Sequence, residues 1–154
     1  MPSKVEVTNT PLPVTEVNTP LPVAEVDIAA KNRFQAQANI TTDANGNITF
    51  GQFTNPSTNV LIIEFVSGTC TTNAATKIVQ LGFQTLAAGV SATHSLMPNL
   101  LFSDGSNNYY AISQQTRIYA EPSGAISLTS ELHVDGAGPE VINCSVVISG
   151  YLSP

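Results

Sequence analysis

The chain has 154 residues and a formal net charge of −6, and only 10% of its residues are charged while 42% are hydrophobic. An average soluble domain carries roughly 25% charged residues. In this chain Thr, Asn, Ser, Gln and Ala must therefore supply much of the protein surface. Such surfaces are typical of proteins buried in an assembly and of extracellular coats and fibres. The five basic residues are scattered apart from the pair Lys31 and Arg33, which argues against a nucleic-acid partner because phosphate contacts need clustered Lys and Arg.

The first 27 residues form a near-repeat in which Asn-Thr-Pro-Leu-Pro-Val occurs at 9–14 and again at 18–23. Each proline fixes φ and biases the preceding residue toward extended geometry, so this segment can be neither a helix nor a compact core. We predict an extended stalk or arm at 1–27, followed by a junction at 28–33. Its regularly placed apolar side chains are the expected assembly contacts: Val7, Leu12, Val14, Val17, Leu21, Val23 and Val26.

A lone extended arm leaves its backbone groups unpaired and its Val and Leu side chains uncovered. Self-association is therefore the expected role of the arm, and two arrangements remain open. Three copies wound about one axis would give a closed homotrimer. Alternatively, each arm adds a strand to the next subunit and builds an open filament. The prolines remove ladder donors, which favours winding over long sheet pairing.

Residues 34–154 are expected to form a β-structured head. Alternating or continuously apolar segments predict strands, separated by turn signals such as Asn45-Gly46, which is typical of a tight hairpin. The predicted strands are 34–40, 48–53, 60–66, 78–86, 91–97, 110–120, 126–134 and 141–152. This number and spacing indicate an all-β sandwich. A jelly roll is preferred to an immunoglobulin-like topology, because the chain has no tryptophan.

Cys70 and Cys144 both lie in strand-like segments. A bridge between them would close a long loop and stabilise the fold by roughly 3–4 kcal/mol in the chain-entropy model. Two buried free thiols are an equally good interpretation of the sequence, and two cysteines do not define a redox compartment.

The loop at 103–110 is the candidate ligand site, with glycan as the possible partner. Small polar side chains next to aromatic rings are typical of sugar recognition, since rings stack on the apolar faces of sugars. The possible contacts are Asp104, Asn107, Asn108, Tyr109 and Tyr110. The alternative is that one tyrosine packs in the core. The Asp104–Asn108 spacing also resembles the opening of a calcium loop, but the bidentate Glu is missing, which favours a simple turn.

Catalytic motifs are missing from the sequence. Its two histidines, His94 and His133, both occupy positions expected to point outward from strands, and neither has a second His at metal-ligand spacing. No nucleophile elbow occurs. We therefore expect no enzyme activity, no catalytic or metal-binding residues and no cofactor.

The tandem Asn-Thr-Pro-Leu-Pro-Val units resemble short repeats in the stalks of phage tail-fibre, spike and other virion surface proteins. The resemblance covers residues 5–27 and implies a trimeric protein with a β-structured tip. We accordingly expect a structural protein of a virion or cell surface, with an adhesin or a filament subunit as alternatives. No apolar run approaches 18 residues and the start has no apolar signal region, so neither membrane insertion nor a signal peptide is expected.

Overall fold

Ten strands make up the part of the chain that the computed structural model describes, residues 32–136 and 138–153. They are β1 (Asn32–Thr42), β2 (Ile48–Phe50), β3 (Gln52–Thr54), β4 (Leu61–Asn73), β5 (Thr76–Ala87), β6 (Val90–Leu96), β7 (Asn99–Ser103), β8 (Asn107–Ala120), β9 (Ala125–Val134) and β10 (Ile142–Leu152). No helix occurs within these residues. The predicted arm with its seven assembly positions, and the junction up to residue 31, lie outside the described residues.

The strands form two antiparallel sheets, which confirms the predicted all-β fold. The larger sheet has six strands in the order β2-β1-β10-β4-β8-β7, and the smaller has four in the order β3-β9-β5-β6. Each predicted strand of the head has an observed counterpart, although β1, β4, β5 and β8 are longer than predicted and the predicted strand at 48–53 is divided into β2 and β3. The strand that the sequence did not predict is β7, which lies between Pro98 and Asp104.

The inward faces of the two sheets share one apolar core. Along β10, Ile142, Cys144, Val146 and Ile148 are fully buried at every second position, as the two-residue period of a strand requires. Leu81 and Phe83 of the smaller sheet belong to the same cluster of buried side chains. The alternation read from the sequence thus defines which face of each strand is covered.

Gly51 connects the two sheets by separating β2, in the larger sheet, from β3, in the smaller. Its N–H donates to the carbonyl of Asn39 in β1 at 2.7 Å, and its own carbonyl accepts from the N–H of Leu128 in β9 at 3.1 Å. A Cβ at this position would lie 2.5 Å from the Asn39 carbonyl oxygen. A residue without a side chain is therefore required where the chain turns the corner.

The Asn45-Gly46 signal is confirmed as the turn between β1 and β2. Gly46 has φ of 84°, and the carboxylate of Asp43 accepts hydrogen bonds from the N–H groups of Asn45 at 2.8 Å and Asn47 at 2.9 Å. The backbone N–H of Asn47 is the leading cause of a lowered pKa of Asp43. The turn holds β1 and β2 at the edge of the larger sheet.

Candidate functional site

The loop between β7 and β8 is organised around Asp104. One carboxylate oxygen, Oδ1, accepts the N–H groups of Asn107 at 2.7 Å and Ser106 at 2.8 Å, and the other, Oδ2, accepts the hydroxyl of Tyr109 at 3.0 Å. These donors, with the Asn107 N–H the strongest, hold the pKa of Asp104 below its ordinary value. Both of its oxygens are thus committed to the turn, which matches the predicted simple turn better than a calcium loop.

Tyr109 lies beside Phe102, its partner across the β7–β8 pair. The two rings stack with centroids 4.5 Å apart and planes inclined by 19°. Phe102 is 55% exposed, so the pair presents aromatic surface next to the polar turn. Asp104, Asn107 and Tyr109 are the predicted glycan contacts that remain at or near the surface.

Asn108 and Tyr110 are buried, which corrects their prediction as surface contacts. The Asn108 amide donates to the carbonyl oxygens of Asn73 and Thr76, both at 3.1 Å, and so links β8 to the connection between β4 and β5. Tyr110 belongs to the shared core. The alternation of β8 explains this arrangement, because residues 108 and 110 face inward and residue 109 faces outward.

Cys70 and Cys144 form a disulfide, which decides between the two interpretations of the sequence. The residues are direct cross-strand partners in β4 and β10, with their Cα atoms 4.0 Å apart. Both side chains are buried in the core. The bridge therefore reinforces the centre of the larger sheet and is shielded from solvent by the smaller one.

The two histidines have different surroundings. His133 is exposed and contacts Asp135 at 3.2 Å, in agreement with its predicted outward position. His94 was predicted to point outward, and this is wrong. It pairs with buried Phe83, its ring lies 5.5 Å from the Phe83 ring, and its Nε2 is 2.9 Å from the hydroxyl of Thr85. Partial burial lowers the pKa of His94.

Neither a cluster of metal-binding side chains nor a membrane-spanning helix is found in the part of the chain that the structure describes. Among residues 32–136 and 138–153, no group of three or more His, Cys, Asp or Glu is placed to hold a metal ion. Within the same residues there is also no helix with the length and hydropathy needed to cross a membrane.

The feature that sequence reasoning missed is the exposed apolar edge formed by β7. We define the β7 edge as Met97 together with Asn99–Ser103. Its large side chains are strongly exposed: Met97 at 74%, Leu100 at 56%, Leu101 at 60% and Phe102 at 55%. The sequence does contain three consecutive apolar residues at 100–102, which are compatible with a strand. The strand has only five residues, however, and the turn-forming residues Pro98 and Asp104 on either side favoured a loop.

The chain was compared with known proteins at three levels. No family model, no curated protein and no solved structure matches it.

Proposed function

We propose that the protein is a non-enzymatic structural subunit of a surface fibre, spike or decoration on a virion or cell surface, which assembles with copies of itself through its arm and its head. The observation that carries this proposal is the β7 edge. Monomeric soluble proteins rarely leave a contiguous group of large apolar side chains exposed, and such groups are typical of interaction sites. A homotrimer is the expected assembly, because the arm repeats resemble those of trimeric stalks and three arms about one axis would give closed symmetry.

We infer further that the head is a jelly roll. When β2 and β3 are counted as one strand that changes sheets and β7 is set aside, eight strands remain. The first then pairs with the last (β1 with β10), the second with the seventh (β3 with β9), the third with the sixth (β4 with β8) and the fourth with the fifth (β5 with β6). Such nested pairing is expected when one long hairpin is wound into two sheets, and jelly rolls are common in viral capsid and lectin domains.

Multi-angle light scattering of the purified full-length chain tests self-assembly. We expect a concentration-independent mass of three chains of 16.2 kDa each. Removal of residues 1–27 should then abolish the assembly if the arm drives it. A full-length chain that stays monomeric at all concentrations would refute the proposal, and steady growth in mass would replace the trimer with a filament.

Glycan binding is a second candidate, favoured by the stacked Phe102–Tyr109 pair next to the polar turn. Aromatic rings beside polar groups provide the stacking and hydrogen-bonding elements of a sugar site. A glycan array would compare the wild type with Tyr109→Ala. Tyr119→Ala is the matched control, because Tyr119 is also exposed on β8 but lies near its far end. Binding that is absent, or equal in all three proteins, rejects this candidate.

A further inference from the structure

We propose that the β7 edge receives one Asn-Thr-Pro-Leu-Pro-Val segment from the arm of a second copy, as an added β-strand. This rests on the proposed self-assembly and specifies which surface of the head the arm contacts. Three observations carry it: the open edge of β7, the spacing of the prolines in the arm sequence, and the distance between β7 and the start of β1.

β7 is the last strand of the larger sheet and pairs only with β8 among the described strands, so the backbone groups of its outer edge face away from the sheet. Natural proteins usually protect such an edge with charged residues or proline. Asn99–Ser103 contains neither, and Pro98 and Asp104 lie only at its two ends. Leu100 lies opposite inward-facing Tyr110 and Phe102 opposite outward-facing Tyr109, so apolar side chains project on both sides of β7. An added strand would cover both.

The other edge strands are less suitable for docking. At the far edge of the larger sheet lies β2, and at one edge of the smaller sheet lies β3, each with three residues. β6, the remaining edge, has seven residues, but Val90 is its only exposed large apolar side chain, and the other exposed positions are small or polar: Ser91, Ala92, Thr93 and Ser95. The β7 edge therefore combines an open backbone edge with exposed apolar side chains over several consecutive residues.

The arm is suited to pair along one side only. In an extended strand, alternate residues direct their N–H and C=O groups to the same edge. Pro11 and Pro13 thus fall on one edge, where neither has an N–H to donate, while Thr10, Leu12 and Val14 direct complete N–H and C=O pairs to the other. Such a strand can hydrogen-bond to β7 and simultaneously block the addition of a further strand.

The second repeat, residues 18–23, has the same spacing of prolines and the same one-sided pattern. Each repeat is uncharged, as is β7. A five-residue strand spans about 17 Å, and a six-residue repeat is long enough to cover it. The length and the apolar character of the repeat therefore match those of the edge.

The distance across the sheet favours a second copy over the chain's own arm. Asn32 is aligned with Ala120 through Leu152 and Leu61, whereas β7 pairs with the stretch of β8 at 108–111. Crossing the sheet from β1 to β7 takes four strand spacings of about 4.8 Å, and the offset along the strand direction is about nine residues of β8. Combined as perpendicular distances, they place the start of β1 about 36 Å from the β7 edge.

The second repeat ends at Val23, and the chain from there to Asn32 spans at most about 30 Å, which is too short to reach its own β7. The first repeat could reach it only by running across the face of its own sheet. A neighbouring head imposes no such path. One arm and one β7 edge per chain then allow a closed ring of exchanged arms.

The edge is tested in the full-length chain with Leu101→Lys. Leu101 is 60% exposed and falls at the register shift between Leu100 and Phe102, so the substitution places a charge on the edge without removing a core contact. Thr93→Lys on β6 is the matched control, since it adds the same charge to an exposed residue of another edge strand. We expect the mass to fall to that of one chain for Leu101→Lys and to be unchanged for Thr93→Lys.

The arm is tested with the double substitution Leu12→Pro and Leu21→Pro, which removes the central one of the three N–H groups expected to face β7 in each repeat. The control, Pro11→Ala with Pro20→Ala, alters the edge of the arm that faces away. We expect the first variant to lose assembly and the second to retain it. Hydrogen exchange of those amides at 99–103 that are directed away from β8 gives a second readout: they should be protected in the wild type and should exchange rapidly in Leu101→Lys and in the Leu12/Leu21 variant.

The outcomes separate this inference from the proposed function. If the wild type assembles but Leu101→Lys and the Leu12/Leu21 variant change neither mass nor exchange, the β7 edge is not the docking surface, while self-assembly stands. If the wild type is monomeric and its β7 amides lose protection only when the arm is changed, the arm docks on β7 of its own chain. That result would contradict the proposal that a second copy supplies the arm. A monomeric wild type with unprotected β7 amides would refute both proposals.

Discussion

The centre of the larger sheet and its β7 edge contain similar apolar residues in opposite environments. β4 and β10 each have a strand on both sides, and Val66, Val146 and Ile148 are fully buried beneath the smaller sheet. Leu100, Leu101 and Phe102 of β7 are more than half exposed, and among the described strands β7 has a neighbour on one side only. The comparison indicates that the central pair provides stability, while the edge is available for association. Substitutions in the two regions should therefore affect different measurements.

The largest effect on stability is expected from Ile148→Ala. Ile148 is fully buried in β10, and truncation of a buried isoleucine costs about 2–5 kcal/mol because apolar contacts are lost and a cavity remains. Chemical denaturation followed by circular dichroism measures this change. Val147→Ala, its neighbour on the outward face of the same strand, should cost much less. Similar losses for both would show that the inward face is not the source of stability.

Reduction of the Cys70–Cys144 disulfide is expected to have the next largest effect. The bridge joins residues 74 positions apart in the chain, and such a link typically contributes about 2–4 kcal/mol by restricting the unfolded chain. Denaturation with and without a reductant measures it, and the double substitution to alanine provides an independent comparison. An unchanged midpoint under confirmed reduction would contradict the role of the bridge in the central pair.

The sequence predicted the central region well and the edge poorly, for a physical reason. Long strands such as β4, β9 and β10 are covered on one face, so their alternation or apolar content appears directly in the sequence. β7 is exposed at all five positions, and no burial pattern marks it as a strand.

Predictions at single residues failed where a position depends on a neighbouring strand. His94 faces the interior because it lies opposite Phe83, and Asn108 is buried because it satisfies carbonyl oxygens between β4 and β5. The cysteine pairing depended on the register of β4 with β10, which spacing along the chain does not give. The sequence identified the strand that contains His94 but not its partner, and it placed Asn108 in a loop and Cys70 beyond the end of a predicted strand.

A substitution in the β7 edge should have the opposite effect to one in the core, with little change in stability and a large change in assembly. Leu101→Lys should change the free energy of unfolding by less than about 0.5 kcal/mol, since exposed substitutions away from packed groups are usually tolerated. Its effect should instead be on the assembled mass. Denaturation of the separated monomer, compared with Thr93→Lys, measures the stability of the head alone. A loss as large as that of Ile148→Ala would mean that β7 belongs energetically to the core.

The smallest expected effect lies in the turn that follows β7. Tyr109→Phe removes the hydroxyl that donates to Asp104 but keeps the ring stacked on Phe102. The pKa of Asp104 is lowered mainly by the N–H groups of Asn107 and Ser106 and then by this hydroxyl. We therefore expect its pKa to rise part of the way toward the ordinary value. Asp43 is the internal control, because its pKa is lowered within a separate turn by Asn47 and should not change.

The sign of the associated pH dependence follows from the lowered pKa of Asp104. A carboxyl group with a lower pKa in the folded state stabilises that state above its unfolded pKa, and the contribution is lost as the pH falls through the folded value. Acid should thus loosen the turn next to β7 before it affects the disulfide bond at the centre of the sheet, because the bonded sulfur atoms of Cys70 and Cys144 do not titrate. Carboxyl-detected NMR titration of the wild type and Tyr109→Phe measures both aspartates at once. If Asp104 and Asp43 shift together, the substitution has perturbed the whole head, and the turn is not the independent unit that its hydrogen bonds indicate.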